Sequence, residues 1–323
     1  MSEARAALAA HQLGARSYSP TALQSFAACP YRFLLYAILK LGPRDVPEPI
    51  DEMSPLQRGA LVHEVLYLFF QRLQSAGLLP PQAARLDELQ SHLDDLLAQV
   101  AARYRDDFAP AIDRVWRDGI ASLRVDLREW LRLATLEPRW HPWRFELGFG
   151  LSGERAREPQ DAHSTSAPVP LACGILLRGK IDLVERDGAG HVRLTDYKTG
   201  KARVRAGARV AGGQALQPVL YALTAERLFP DAAVEGGRLY YCTVDGGFSQ
   251  CEVALDDDAR RASDVLAAAL RVSLEQAFLP AAPVEGACEY CDYRVVCGPY
   301  EEFRTRRKER SALRALHALR ELP

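Results

Sequence analysis

The chain has 323 residues, 48% hydrophobic and 26% charged, with 41 basic against 42 acidic residues and a formal net charge of −1. That composition excludes a disordered or collagen-like chain, and a protein that binds nucleic acid by bulk charge, while leaving room for local basic surfaces. The length fits two ordinary domains or one large domain with an insertion. No apolar run approaches the ~18–20 residues of a membrane helix. Residues 1–16 lack the apolar block of a signal peptide. A cytoplasmic protein with no membrane contact and with reduced cysteines is expected. The basic residues are nearly all arginine, the lysines being Lys40, Lys180, Lys198, Lys201 and Lys308.

Residues 1–16 are expected to be flexible. Ser19-Pro20-Thr21 then opens a helix, with a hydroxyl cap and proline in the first turn, and runs through Cys29-Pro30-Tyr31-Arg32-Phe33 to Leu41. The proline-rich stretch from Gly42 to Pro55 reads as a loop. A helical block over about 56–137 follows, its apolar residues recurring at steps of three and four, as in Leu86, Leu89, Leu93, Leu96 and Val100. At Trp143 the period becomes two, with Phe145, Leu147 and Phe149 on one face of a strand. Ser152 to Pro170 is polar and reads as a surface loop. Strand-like runs at 174–184 and 192–197 flank the turn at 186–190 as a hairpin. A helix over about 215–228 and a strand at 238–244 complete an α/β core over about 140–245, with a further helix near 259–277. A cysteine-bearing segment, 283–298, and a basic helix over 301–323 end the chain. In that last stretch Arg304, Arg306, Arg307, Lys308 and Arg310 form either a solvated helix face or a surface for phosphates.

Two places carry chemistry. In the hairpin, Asp196 and Lys198 are two apart and share a face of one strand. If Asp182 on the neighbouring strand faces the same way, two carboxylates and an ammonium converge. Paired carboxylates repel unless a cation lies between them, and Mg²⁺ or Mn²⁺ with open positions for water and phosphate meets that cost. The alternative is a solvated hairpin with a surface Asp–Lys pair. His63 by itself reads as an ordinary helix residue, and Glu146 as the wet face of an amphipathic strand. Gln217 and Tyr221, four apart, share a helix face. The second place is Cys288-x2-Cys291-x5-Cys297, close enough for three thiolates to reach one metal centre, with Cys29 as the best fourth donor. Four thiolates suit zinc or an iron–sulphur cluster. Cys173, Cys242 and Cys251 read as apolar fillers.

Five motifs, in order, resemble the RecB/AddB-type nucleases of the PD-(D/E)XK superfamily, in the branch with a four-cysteine iron–sulphur cluster. They are Ser17-Tyr-Ser-Pro-Thr-Ala-Leu with Cys29-Pro-Tyr-Arg-Phe, Gly59-Ala-Leu-Val-His63, Gly179-Lys-Ile-Asp182 with Asp196-Tyr-Lys-Thr-Gly200, Gln217-Pro-Val-Leu-Tyr221, and Cys288-Glu-Tyr-Cys291 with Cys297. The resemblance spans about 17–298 and implies one nuclease domain over 17–300. Its fold would be an α/β restriction-endonuclease-like core with a helical insertion, and a [4Fe–4S] cluster would join the N- and C-terminal segments. It further implies that Asp182, Asp196 and His63 bind Mg²⁺ or Mn²⁺ and that Lys198 is the catalytic lysine. Gln217 and Tyr221 would support the site or the DNA strand, and Glu146 would be the strand glutamate that precedes the hairpin. The implied activity is metal-dependent hydrolysis of DNA, on single strands or ends, in recombination or repair. The sequence holds no phosphate-binding loop of the helicase kind, so the expectation is either a free-standing nuclease or one that borrows a motor from a helicase partner. Rival readings are a non-catalytic DNA-binding scaffold, a CRISPR-adaptation nuclease and a zinc-stapled RNA nuclease.

Overall fold

The computed structural model describes residues 2–42, 52–108, 110–153, 156, 158, 160–204, 207–289, 291–309 and 311–323. The N-terminal helix α1 (Ser2–Leu8) leads to a short strand β1 (Ser17–Tyr18) and to α2 (Pro20–Ala28). Ser19 caps α2 by accepting the Ala22 N–H, and Pro20 occupies the first turn, where no amide partner is lost. Then come α3 (Pro30–Phe33) and a π-turn over Leu34–Ile38.

Three long helices make the helical block: α4 (Pro55–Ser75), α5 (Leu86–Phe108) and α6 (Asp113–Ala134). A reciprocal cap starts α4, since Ser54 Oγ accepts the Gln57 N–H while Gln57 Oε1 accepts that of Ser54. The strands that follow are β2 (His141–Phe149), β3 (Val169–Pro170), β4 (Leu176–Leu177), β5 (Gly179–Arg186) and β6 (Val192–Lys198). After them come α7 (Gln217–Leu228), β7 (Val234–Tyr241), β8 (Gln250–Ala254) and α8 (Asp257–Glu275). Three short helices end the chain: α9 (Arg294–Cys297), α10 (Glu301–Thr305) and α11 (Arg314–Arg320).

The main sheet has five strands in the order β2-β5-β6-β7-β8, and a small sheet has the order β1-β4-β3. Pairing in the main sheet is antiparallel except between β6 and β7, which run parallel because α7 crosses over between them. One face carries Leu194, Val184 and Val192 into a core with α2, α7, α8 and α11. The other carries Phe145, Leu183 and Tyr197 against α4, α5 and α6. The block is also tied down by charge: Asp126 of α6 is buried, accepts from Arg58 Nη2 at 2.7 Å and accepts the Val244 N–H beyond β7.

Several expectations are corrected. The first 16 residues are not a loose tail in the structure: α1 packs on α8, Leu8 is buried, and Tyr18 Oη donates to the His11 carbonyl. The run 174–184 is two strands, β4 in the small sheet and β5 in the large one. The core extends beyond 245 by β8, whose burial alternates at Cys251 and Val253. The loop over 152–170 in part covers the open edge of β2, with Asp161 and Thr165 N–H groups donating to Glu146 and Gly148 carbonyls. The basic helix over 301–323 is broken, because Glu301 draws both Arg304 and Lys308 onto itself and the chain turns before α11. Arg310, and residues 43–51 of the proline-rich loop, lie outside the described residues.

The two ends of the chain meet. Backbone bonds run from Tyr31 N–H to Pro280 O and from Val284 N–H to Ala28 O. The Arg320 guanidinium sits between them, donating to Ala27 O at 2.9 Å, Ala28 O at 3.0 Å and Ala282 O at 2.5 Å. Burial pulls its pKa down to about 10.

On the sheet face shared with Leu183 and Tyr197 lies a buried ionic cluster. Glu185 accepts from Arg193 Nε and Nη2 and from Arg238 Nη2, each at 3.0 Å, and from Thr195 Oγ1 at 2.6 Å. Burial opposes the charge on Glu185, but the Arg238 and Arg193 guanidinium groups overcome it and hold the carboxyl below its usual range. Glu185→Gln leaves two buried guanidinium groups without their anion and should cost about 3–5 kcal/mol in urea unfolding. Because the folded pKa is depressed, this stabilisation is present above the ordinary glutamate range and is lost as pH falls through the lowered value. The wild-type urea midpoint should therefore drop more steeply below about pH 4 than that of the variant.

Candidate metal and nuclease site

The site lies where strand regularity fails. Phe145 and Leu183 face the helical block, yet Leu147 and Ile181, two residues away on the same strands, face the opposite core. A regular strand keeps residues two apart on one face. Both strands therefore change face between these pairs. Phe145 pairs with Leu183 and Leu147 with Ile181, so the residues at the switch are Glu146 and Asp182. Glu146 adopts a left-handed backbone, φ 52°, which costs a residue with a Cβ roughly 1–3 kcal/mol.

The β5–β6 ladder also ends there. Its last pair toward the site is Leu183 with Thr195, and the next amide, Tyr197 N–H, donates to Asp182 Oδ2 at 2.7 Å. A side-chain carboxylate has taken the place of a ladder carbonyl, and the strands part around it.

Into this fork α4 projects His63, whose Nδ1 lies 3.4 Å from Asp182 Oδ1 and 3.7 Å from Glu146 Oε1. These three offer ligand atoms within 4.8 Å of one another. Lys180 Nζ sits 2.7 Å from Glu146 Oε2 and 3.2 Å from Glu158. On the adjoining strand Asp196 Oδ1 accepts from Gln217 Nε2 at 2.8 Å, and Asp196 Oδ2 lies 2.5 Å from Lys198 Nζ. Tyr221 is buried against Gly179, where a Cβ would come within 3.3 Å of its ring, and packs edge-on to Phe149.

Electrostatics pull the carboxylates apart. Burial pushes Asp196 up to about 6; the Lys198 ammonium opposes this and the Asp182 charge adds to it. For Asp182 burial is again the largest influence and raises the pKa, but the charge and hydrogen bond of His63, with Lys198 and the Tyr197 amide, hold it below its usual range. His63 is driven well above 6.5, because Asp182 and Glu146 outweigh its burial. Lys198 is raised by Asp196 and Asp182 in spite of burial, so its ammonium keeps its proton. Burial pushes the Tyr221 phenol well above 10.

A hard divalent cation suits this donor set of carboxylate oxygens and one imidazole. Asp196 Oδ2, buried and paired only with the Lys198 ammonium among the described residues, keeps a lone pair to give.

Asp196 stands outside the close-set trio of His63, Glu146 and Asp182 and is turned toward Lys198 and Gln217. Glu146, weak as a sequence signal, is in the trio. Sequence reasoning misses Lys180; its rarity in an arginine-rich chain and its place two residues before Asp182 are the available signals. Cys29, Cys288, Cys291 and Cys297 line one cavity of about 540 Å³ between the chain ends. Cys242 and Cys251 are buried in the core.

The strain at residue 146 can be measured by replacement. Glu146→Gly and Glu146→Val lose the same carboxylate and its pairing with Lys180, so they differ in backbone strain, and the valine variant, β-branched in a left-handed conformation, should lose about 2 kcal/mol relative to the glycine variant. Equal melting of the two would remove the strain.

The sequence pattern of the PD-(D/E)XK nuclease superfamily matches residues 17–298. Among curated proteins the chain is similar to a subunit of the ATP-dependent helicase/deoxyribonuclease of Symbiobacterium thermophilum, 28% identical over 70% of this chain and 19% of that protein. The like-named protein from Moorella thermoacetica is 27% identical over 68% of this chain and 19% of its own length. That of Carboxydothermus hydrogenoformans is 24% identical over 71% of this chain and 20% of its own. The chain thus spans about a fifth of the length of each of these relatives. Among the described residues no helix is long and apolar enough to cross a membrane.

Proposed function

The chain belongs to the PD-(D/E)XK nuclease superfamily, and on that premise we propose that it is a metal-dependent deoxyribonuclease of DNA recombination or repair. The observation that carries this reading is the convergence of His63, Glu146 and Asp182 beside Asp196 and Lys198 at the strand fork. Asp182, Asp196 and His63 would hold Mg²⁺ or Mn²⁺, with Glu146 as a further oxygen donor. The cation would supply a polarised phosphate and a water of lowered pKa.

The chain's own groups do the rest. The Tyr197 amide fixes one oxygen of Asp182 and leaves the other directed at the fork. Gln217 holds one oxygen of Asp196 and Lys198 the other. Lys198, held protonated, serves as a positive charge and hydrogen-bond donor toward the phosphate as negative charge develops, not as a base. Buried Tyr221 braces the floor beside Gly179.

The names of the relatives support DNA as substrate and a helicase motor as partner. The test is cleavage of end-labelled single- and double-stranded DNA, with RNA as competitor. Lys198→Ala should fold normally and lose about 10²–10⁴ in turnover. Asp182→Asn and Asp196→Asn should abolish cleavage in Mn²⁺. Digestion that survives EDTA or either aspartate change would refute the mechanism.

The four cysteines are read as ligands of a [4Fe–4S] cluster. Supporting this, they share one cavity between the chain ends. Anaerobically purified protein should be brown and absorb near ~400 nm, and Cys29→Ser should lose both properties and become protease-sensitive at both ends. Zinc without iron in metal analysis would overturn the cluster.

A further inference from the structure

The fork opens on two sides, and the two sides differ in charge. Toward α4 is a cavity of about 470 Å³ walled by Glu64, Glu146, Glu158 and Asp182, with His63 and Lys180 among them. Toward the cysteine segment is a groove of about 680 Å³, which starts at Lys198 and passes Lys201, Arg203, Arg32, Tyr36 and Tyr293. Its own acidic wall residue is Asp292. Arg32, Lys201 and Arg203 are in no ion pair among the described residues. By contrast, Arg304 and Lys308 of the basic run after the cysteines are both bound to Glu301. The unpaired cations of the second opening draw a polyanion, whereas the cations of the first are already paired with its carboxylates.

The groove also presents an aromatic face. Tyr36 is 40% exposed at the middle of the π-turn over Leu34–Ile38, where Leu39 N–H bonds to Leu34 O at 2.9 Å. π-turns interrupt helices mainly at functional positions. A ring exposed among cations offers a stacking platform to an unpaired base, whereas a duplex keeps its base faces hidden.

We propose that this groove binds a DNA single strand, its phosphates on Arg32, Lys201 and Arg203 and one base on Tyr36, and delivers it to Lys198. The proposal rests on the nuclease reading and adds the strand's path and its single-stranded form.

Binding of a fluorescent oligothymidylate to the full chain, with Ca²⁺ in place of Mg²⁺, tests it. Removing three phosphate contacts from a single strand should lower the slope of log K against log salt by about 2 in the Arg32→Ala, Lys201→Ala, Arg203→Ala triple variant. Tyr36→Ala should weaken binding at least about fivefold, Tyr36→Phe should restore it, and neither should matter on an abasic strand of equal length. An unchanged slope, an equal Tyr36→Ala effect on the abasic strand, or wild-type preference for duplex would each overturn the groove. Mn²⁺-dependent cleavage of the same oligonucleotide by wild type reads the nuclease separately. Cleavage with an unchanged slope removes the groove alone, and a reduced slope without cleavage removes the nuclease alone.

Discussion

The hydrogen bond from Tyr197 N–H to Asp182 Oδ2 is the contact on which the site's geometry depends. A β-ladder left to continue would pair β5 and β6 through residue 182 and close the sheet over the space the reaction needs. With the carboxylate in the ladder position, the backbone amide is satisfied, as a buried donor must be, while the strands separate. The charge of His63, with that of Lys198 and this bond behind it, holds Asp182 in its ionised form, and the bond leaves the second oxygen beside His63. On the neighbouring strand the left-handed Glu146 makes the matching turn of face, and its displaced carbonyl is taken up by Asp161 N–H from the covering loop. Structure at the fork is therefore strained in backbone yet satisfied in hydrogen bonds.

The difference between what is legible in sequence and what is not follows the same line. Helices α4, α5 and α6 bury long apolar stripes, as in Leu89, Leu93, Leu96 and Val100, and such periodicity is visible residue by residue. Asp196 and Lys198 share a face because β6 is regular, so the period of two is sufficient for them. It fails for Glu146 and Asp182, because the strands invert at those residues and alternation no longer says which way a side chain points. Their meeting with His63 also spans three elements far apart in sequence, which no local pattern encodes. The N-terminal tail and the split C-terminal helix escape for another reason: short helices such as α1 and α11 are fixed by tertiary packing of Leu8, Leu316 and Leu319 more than by propensity.

Closure of the chain ends changes the meaning of the cysteines. A cross-link between residues as distant as Cys29 and Cys288 would by loop entropy be worth up to roughly 5 kcal/mol. Yet the backbone bonds at Tyr31–Pro280 and Val284–Ala28, with the Arg320 guanidinium on three carbonyls, already bring the ends together. A cluster in the proposed position enters a mouth that protein contacts have built. Its stabilisation is then one of linkage, set by how tightly the folded pocket binds it relative to the unfolded chain.

The charges at the fork also balance without a metal. Glu146, Asp182 and Asp196 face Lys180, Lys198 and a His63 held protonated by its neighbours. Three anions against three cations explain how a buried carboxylate cluster folds in the first place, since unpaired buried charge is the costlier alternative. The balance is local. Beyond Lys198 the groove holds cations without partners among the described residues, and beyond Glu146 the cations of the opposite cavity are spent on its carboxylates. The unpaired positive charge therefore lies on one side of the fork, the side on which Lys198 stands. Neutrality at the centre lets the protein fold, and asymmetry at its two mouths gives the substrate a direction of approach.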